Sequence, residues 1–371
     1  MNRTRGMPLN AVVMATYLAA AAGTAVAQEQ TTAENEAAAD QAGQGSFVWA
    51  PIPVLQPALG GGAVLVGMYF YPHAEGKPAN ITGAAAAYTS TDSYLIAAGH
   101  DHHFKGDRWR LEGKAGYAKF NLNFPGVGAE SGTPGSSLSY SIEGTFVEPK
   151  LWRKFSHGWL AGVGAQFLDA DVDFDDGQPG DPILDGVTEA MLDLKSTGVG
   201  PLVQKDTRDN RFAPYQGHYF QVSGMVFPSA FDNDLDYRIY KGFYNQYWRV
   251  RDKTVLAANV SSAYADGEVP FYRLSKLAIR GVSGDKYWNK FLLQGQAEVR
   301  QQVYGDWSAA LFAGYGGVSS SLKNLDTDDM IFAGGAGIRY MVAPKERVAL
   351  RLDVAKGQDQ TMVYISVGEA F

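Results

Sequence analysis

The chain has 371 residues, a formal net charge of −7 at pH 7 and no cysteine. Because nucleic acids attract basic surfaces, a chain with this acidic balance is not expected to bind DNA or RNA. Without cysteine, the protein has neither a disulfide nor a thiol that could act as a nucleophile or as a metal ligand.

The first 27 residues are predicted to be a secretory signal peptide. Two arginines precede an apolar run over residues 9–22, and the small-residue triplet 25–27 supplies a cleavage site before the glutamine that follows. Residues 28–46 are polar, acidic and free of aromatic side chains, so we expect a disordered periplasmic lead-in. The folded domain is therefore predicted to occupy residues 47–371.

From Phe47 onward, apolar and polar residues alternate, which is typical of strands with one apolar and one polar face. The segments LLQGQAEVRQQV, RVALRLDVA and TMVYISVGEAF all have this pattern. After the signal peptide, no stretch reaches the roughly 18 apolar residues that a transmembrane helix needs. The chain is therefore either a soluble β-sandwich or a protein that crosses a membrane as strands.

The spacing of the strands favours the membrane. Strand-like segments of about 10 to 15 residues alternate with short turns such as FSHG and with long polar loops such as PGVGAESGTPG. Outer-membrane barrels place the short turns on one rim and the long loops on the other. The chain also ends in an apparent strand at Phe371, which could pair with the first strand and close the sheet.

The strand count points to a closed barrel. Fifteen candidates lie between Gly61 and Phe371, and FVWAPIPVL supplies the sixteenth that a barrel with both ends in the periplasm requires. Pro51 and Pro53 remove backbone donors from this first strand. We predict an all-β fold, a 16-stranded antiparallel transmembrane β-barrel in the Gram-negative outer membrane. Its first strand should be poorly hydrogen-bonded and its closing seam weak.

One loop of the predicted barrel is unusually long. More than twenty residues, ADGEVPFYRLSKLAIRGVSGDKYW, separate the strand that ends near Tyr264 from the strand that starts near Asn289. Loops longer than about 12 to 15 residues are usually functional or disordered. This loop is rich in aromatic and aliphatic side chains, so we expect it to pack against the barrel.

Within this loop, LAIRGV resembles the arginine-glycine signature of the sixth extracellular loop in the BamA/TamA family of outer-membrane barrels. Two further stretches, QGQAEVRQQV and VYISVGEAF, are similar to that family's arginine-facing strand and closing strand. A fourth, VQKDTRDNRFAPYQGHYFQV, resembles its turn-and-strand motif, with Asp206, Thr207, Arg208, Asp209 and Asn210 in the turn. The similarity extends from about residue 200 to the end of the chain, with a weaker match near residue 60.

The resemblance implies that the long loop folds back into the lumen as an inward-folded extracellular loop. Arg280 would meet carboxylates on the inner wall there, and Gly281 would permit a close backbone approach. Glu298 is the matching acid on the polar face of the next strand. The alternative is that Arg280 lies in a solvent-exposed loop while Glu298 pairs with Arg300 or Arg351.

A second acid is also implied by the resemblance. The family usually supplies it from the strand after Glu298, where this sequence has Gly314. Asp353, from a later strand, is the candidate substitute.

The implied function is that of an integral, non-enzymatic barrel in contact with outer-membrane lipid and lipopolysaccharide. Relatives that assemble or export proteins carry periplasmic POTRA domains before the barrel, and we expect this chain to be a member without them. It would aid protein insertion or translocation, or perturb the membrane, with an accessory periplasmic protein as a candidate partner. The alternative is a passive or loop-plugged pore for small solutes.

Two other motifs suggest chemistry that the pattern does not support. His100, Asp101, His102 and His103 could bind zinc or transfer protons, but strand alternation places the two pairs on opposite faces. The acidic segment DADVDFDDG lacks the glycine and the terminal glutamate of a calcium loop. We therefore predict no catalytic residue, no metal site and no cofactor.

Overall fold

The computed structural model describes residues 45–56, 58–73, 79–125, 137–175, 187–210, 212–284, 286–344, 347–358 and 360–371. The predicted signal peptide lies outside these residues. So does the predicted lead-in, apart from Gly45 and Ser46, and Ser46 is already the first residue of a strand.

Eighteen strands occur in the described part of the chain. They are β1 (Ser46–Gln56), β2 (Gly60–Phe70), β3 (Ile81–Thr89), β4 (Tyr94–Phe104), β5 (Trp109–Phe124), β6 (Leu138–Lys154), β7 (Trp159–Phe174), β8 (Asp193–Asp206), β9 (Gly217–Phe227), β10 (Tyr237–Arg251), β11 (Thr254–Gly267), β12 (Ser275–Lys276), β13 (Trp288–Asn289), β14 (Phe291–Tyr304), β15 (Trp307–Ser319), β16 (Ile331–Ala343), β17 (Val348–Lys356) and β18 (Thr361–Val367). Among the described residues, no helix has the length and apolar character needed to cross a membrane.

Sixteen of these strands form one closed antiparallel barrel. The order runs from β1 to β11 and from β14 to β18, and β18 returns to β1. The two remaining strands, β12 and β13, pair with each other inside the long loop between β11 and β14. The predicted fold class is therefore confirmed.

Side chains alternate between the two faces of the wall. On β14, Glu298 and Arg300 are buried on the inner face, whereas Val299 between them is 44% exposed on the outer face. Large apolar side chains are exposed around the outside of the barrel, including Ile96, Leu311 and Phe332. An apolar surface of this extent is favourable against lipid hydrocarbon and unfavourable against water.

The two rims of the barrel differ. One, the turn rim, carries tight connections such as 252–253 and 305–306. The other, the loop rim, carries long connections such as 268–290 and 320–330. Both the start of β1 and the end of β18 lie at the turn rim, because an even number of strands returns the chain to the side where it began.

The seam between β1 and β18 has little pairing. β1 pairs with β2 along its whole length, from Ser46↔Phe70 to Gln56↔Gly60, but within the described residues one register pair, Leu55↔Ile365, joins β1 to β18. The prediction of a poorly paired first strand is correct for the edge facing β18 and wrong for the edge facing β2. Two prolines spaced two residues apart remove donors from the same edge of a strand, so the other edge can pair fully.

The loop 268–290 folds into the lumen and packs on both sides of it. Trp288 and Phe271 contact Phe124 of β5, with ring centroids 5.3 and 4.7 Å away. Leu277 and Ile279, which are almost fully buried, belong to an apolar cluster with residues of β14, β15 and β16. The loop therefore bridges opposite parts of the inner wall and fills the lumen near the loop rim.

Candidate functional site

Arg280 lies inside the barrel, and only 8% of its side chain is exposed. Its Nη2 is 2.7 Å from Glu298 Oε2, and its Nη1 donates to Asp353 Oδ2 at 2.8 Å. The guanidinium also lies over the ring of Phe312, 3.5 Å from the centroid, an arrangement that favours a cation. This burial contradicts the alternative in which Arg280 belongs to a solvent-exposed loop.

Gly281 occupies a position that a larger residue cannot take. Its φ is 96°, in the left-handed region, and an added Cβ would lie 3.0 Å from the carbonyl carbon of Lys356 and 3.2 Å from Ala333 Cβ. Its N–H donates to Tyr364 Oη of β18 at 3.0 Å. The glycine therefore brings the loop backbone directly against the inner wall.

Glu298 is fully buried and contacts three arginines. Besides Arg280, it accepts a hydrogen bond from Arg300 Nε at 2.6 Å and lies 3.3 Å from Arg339 Nη2. The pairing with Arg300 that was weighed as an alternative is thus present together with the Arg280 contact. An uncompensated carboxylate would be costly in this environment, and the surrounding cations remove that cost.

Asp353 is fully buried as well and contacts Arg280, Arg339 and Arg351. The distances are 2.8 Å to Arg280 Nη1, 2.5 Å to Arg339 Nη1 and 3.4 Å to Arg351 Nε. Gly337 is its register partner on β16, and an added Cβ there would collide with Asp353 Oδ1. The glycine leaves the space that the carboxylate occupies.

Gly314, the position expected for the family's second acid, serves a different purpose. An added Cβ would lie 3.0 Å from Gln296 Cγ and 3.1 Å from Ile279 Cβ. The absent side chain makes room for the inserted loop, and the second carboxylate comes from β17.

The end of the chain supplies a third acid, which the sequence reasoning missed. The strand that was expected to reach Phe371 ends at Val367, because Gly368 has a φ of 81° and turns the following residues into the lumen. Glu369 Oε2 lies 3.1 Å from Arg339 Nε and 3.4 Å from Arg300 Nε. These buried ion pairs favour the inward turn over continuation of the strand through residues 368–371.

Seven charged side chains from the loop, three strands and the end of the chain thus meet in one network. We call this network the lumen clamp: Arg280, Arg300, Arg339, Arg351, Glu298, Asp353 and Glu369. Charge-assisted hydrogen bonds of this kind are directional, so they fix both the position and the orientation of the loop.

The turn motif Asp206–Asn210 lies elsewhere, at the turn rim between β8 and β9. Arg208 forms a two-point contact with Asp206, with Nε–Oδ1 and Nη2–Oδ2 distances of 2.9 and 2.8 Å. Thr207 Oγ1 accepts the N–H of His218 at 3.0 Å, and Asn210 Oδ1 accepts the N–H of Phe212 at 2.8 Å. The motif therefore stabilises the turn that contains it.

Asp209 has both local and distant partners. Its Oδ1 accepts the N–H groups of Tyr215 and Gln216, and its Oδ2 accepts a hydrogen bond from Arg347 Nη1 at 2.8 Å. Partial burial by itself raises the pKa of Asp209, but these hydrogen bonds lower the pKa below its usual value.

The histidine motif divides as its alternation predicts. His100 and His102 stack on each other, His102 also stacks on Phe104, and His100 contacts Tyr71 edge-on. Asp101 instead pairs with Arg110 of β5. In the part of the chain that the structure describes, no group of three or more side chains is arranged to hold a metal ion.

A closed barrel with an apolar outer face, and with an arginine-bearing loop fixed in its lumen, defines a class of outer-membrane β-barrel. The Omp85 superfamily domain matches residues 79–371, and the chain belongs to the Omp85 superfamily. A comparison with curated protein sequences found no significant match.

Solved structures share the fold. BamA from Haemophilus ducreyi lacking POTRA domains 1–3 has a TM-score of 0.64 and 12% sequence identity, with 88% of this chain and 70% of that chain covered. CdiB from Escherichia coli has a TM-score of 0.59 and 12% identity, covering 86% and 62%, and CdiB from Acinetobacter baumannii 0.55 and 12%, covering 87% and 59%. The chain thus spans less than two thirds of each CdiB chain.

These findings place the protein in the outer membrane of a Gram-negative bacterium, with its apolar outer face in contact with lipid. In such barrels the tight turns face the periplasm, so the turn rim is the periplasmic rim. The predicted BamA/TamA resemblance is confirmed. The expectation about POTRA domains concerns residues before Gly45, outside the described part of the chain, and stays a prediction.

Proposed function

We propose that the protein aids the insertion or translocation of other proteins at the outer membrane, and that client segments engage the seam between β1 and β18. The observation that carries this proposal is the contrast between the full β1–β2 register and the single Leu55↔Ile365 pair. A strand edge with few cross-strand partners is a template on which an incoming strand can pair, and β18 is the better template here because Pro51 and Pro53 remove donors from the seam edge of β1.

The lumen clamp supports this proposal because it braces one side of the seam. Its members come from β14, β16 and β17 and from the residues after β18, and it also holds the loop. The wall from β14 to β18 is therefore tied together from inside, in addition to its strand pairing. Opening at the seam would move β1 away from a wall that keeps its shape.

A client that crosses the periplasm unfolded needs a carrier, since its apolar strands would otherwise aggregate. We therefore propose an accessory periplasmic protein as the partner at the turn rim. Crosslinking in outer membranes, followed by purification of the barrel and mass spectrometry, tests this. Recovery of the barrel alone, under conditions that crosslink a control outer-membrane complex, would count against the partner.

The seam is tested by locking it with a disulfide. The natural chain has no cysteine, so the pair Leu55→Cys and Ile365→Cys introduces the only two thiols. The matched control keeps Leu55→Cys and combines it with Gly61→Cys, its register partner on β2. Both proteins are reconstituted in liposomes, and the folding rate of a urea-denatured outer-membrane barrel is followed by its gel mobility.

Oxidation of the seam pair should abolish the acceleration of client folding, and reduction should restore it, whereas the control pair should have no effect. Quantitative crosslinking of the seam with unchanged acceleration would remove the seam from the mechanism. Equal inhibition by both pairs would indicate damage to β1 and not a closed seam.

A pore for small solutes is the second candidate function. The inner wall carries polar side chains away from the clamp, such as Asn245 on β10 and Asn259 on β11, which hydrogen-bond to each other at 2.6 Å. A barrel of sixteen strands is wide enough for a water-filled lumen. Swelling of liposomes that contain the wild-type protein in small-sugar solutions would support a passive pore, and the absence of swelling would exclude it.

A further inference from the structure

The connection between β8 and β9 makes two hydrogen bonds to residues on a distant part of the turn rim. Asp209 Oδ2 accepts a hydrogen bond from Arg347 Nη1 at 2.8 Å, and the carbonyl oxygen of Phe212 accepts the N–H of Glu369 at 3.3 Å. Arg347 belongs to the turn between β16 and β17, and Glu369 follows β18.

The connection cannot reach these partners by running along the wall of the barrel. In the order of the sheet, β10, β11, β14 and β15 lie between β9 and β16. With neighbouring strands about 4.8 Å apart, the arc from β9 to β16 is roughly 24 Å long. A connection that starts at β8 and reaches the β16–β17 turn must therefore cross the opening of the barrel.

Side chains of this connection are buried or pack against arginines of the rim. Ala213 is 3% exposed, and Pro214 is buried. The ring of Tyr215 contacts two arginines, with centroid distances of 4.1 Å to Arg347 and 4.8 Å to Arg249. These two cation–π contacts hold the ring at the rim.

The connection also has an internal framework. The Oδ1 atoms of Asp209 and Asn210 accept backbone N–H groups of the residues that follow, and Arg208 is fixed to Asp206. A segment ordered in this way loses little conformational entropy when it is fastened at its far end.

We propose that residues 207–210 and 212–216 form a strap that closes the periplasmic mouth of the barrel, latched by the Asp209–Arg347 ion pair. The loop 268–290 closes the lumen near the opposite rim, so the barrel is sealed at two levels. The strap concerns the passage of ions and solutes, and it stands whether or not the seam admits clients.

Two closures in series predict a non-additive conductance. Removal of one closure leaves the other as the limiting resistance, and only removal of both exposes the wide lumen of a sixteen-stranded barrel. Planar-bilayer conductance is compared for the wild type, a protein with residues 270–288 replaced by a short linker, Arg347→Ala, and the combination. Each single change should stay within about threefold of the wild type, and the combination should exceed either by about tenfold or more.

Arg251→Ala is the matched control, because it removes an exposed arginine of the same rim at the end of β10. It should add nothing to the loop deletion. Asp209→Asn breaks the latch from the other side, keeps the Oδ1 acceptor and also removes the longer 3.8 Å ion pair with Arg249, so it should raise the conductance at least as much as Arg347→Ala. The double substitution should give no more conductance than the larger single one, because both remove the same ion pair.

Before recording, heat-modifiable gel mobility establishes that each protein is folded. If Arg347→Ala does not fold, Asp209→Asn replaces it. The proposal is overturned if the loop deletion alone gives the full conductance and neither latch substitution raises it. It is also overturned if Arg251→Ala raises the conductance as much as Arg347→Ala. Failure of the seam experiment leaves these outcomes unaffected, since the readout here is ion flow in the absence of a client.

Discussion

The two sides of the seam are held by different forces. On the β14–β18 side, the inner face is fixed by the charged side chains of the lumen clamp. On the β1–β3 side, it is a buried apolar cluster that includes Ile52, Val54, Val64 and Val66. Charge-assisted hydrogen bonds fix distances and angles, whereas apolar contacts are non-directional and tolerate small shifts. If the seam opens as proposed, this difference predicts that β1–β3 is the side that moves.

The largest effect should come from removing the acid at the centre of the clamp. Glu298→Ala leaves three arginines facing one another without their shared carboxylate, and loss of one partner from a buried ion pair costs about 3–5 kcal/mol. This loss of stability is measured by urea unfolding of the protein in a defined lipid. Gln301→Ala, an exposed substitution on the same strand, should shift the midpoint little, and an equally small shift for Glu298→Ala would show that the clamp does not brace this wall.

A smaller effect is expected from Arg280→Ala, because Glu298 and Asp353 each keep other arginine partners. The substitution removes the ion pair with Glu298 and the hydrogen bond to Asp353, and the hydrogen bond corresponds to about 1.5–3 kcal/mol before the remaining charges rearrange. The change should be local, with the loop released and cleaved by trypsin at Lys276 or Lys286. If Arg280→Ala and wild-type protein resist trypsin equally, the apolar residues of the loop are sufficient to hold it.

On the other side of the seam, Ile52→Val should cost only about 0.5–1.5 kcal/mol, because it removes one methylene from an apolar cluster. The trypsin resistance of the loop should not change, since Ile52 lies outside the clamp. Increased cleavage of the loop in this variant would show that the two walls are coupled, and would remove the distinction between them.

The smallest effect is expected from lowering the pH. It acts through Asp209 of the strap, which is fastened to the clamped side of the rim. The folded pKa of Asp209 is lowered, so its contribution is present above the unfolded pKa of about 4 and is lost as the pH falls below that value. In the loop-deleted protein, conductance should therefore rise as the pH is lowered through this range. The same protein with Asp209→Asn should lack that rise, and an identical pH response in both would assign it to other carboxylates.

The strands of the barrel wall could be predicted from the sequence because the side chains of a barrel in lipid follow a simple pattern. Alternating residues must face hydrocarbon and lumen, so segments such as LLQGQAEVRQQV reveal both their strand and their faces. The turn rim and the loop rim could be distinguished from the alternation of short and long connections along the chain. The identity of Arg280 and Glu298 as neighbours came from the family resemblance and not from the alternation. Asp353 was expected as the substitute acid from the resemblance, and Arg300 and Arg351 were named as possible partners of Glu298.

The parts of Arg339 and Glu369 in the clamp could not be predicted, because their meeting depends on distances across the lumen. Arg339 and Glu369 are 30 positions apart, and the alternation that predicted β18 did not show that Gly368 ends the strand and turns the chain inward. The hydrogen bond from Gly281 to Tyr364 likewise joins residues 83 positions apart. The signal that could have indicated the turn is a glycine followed by an acid within an otherwise regular strand pattern.

The small residue at position 314 has an implication for engineering this barrel. An aspartate there would place its Cβ 3.1 Å from Ile279 Cβ, so the loop would have to shift by a few tenths of an ångström to accommodate it. A chain that carries both Gly314→Asp and a smaller residue at 279 would avoid that collision. A single Gly314→Asp substitution is therefore expected to strain the seat of the loop, and a smaller residue at 279 in the same chain is expected to relieve that strain.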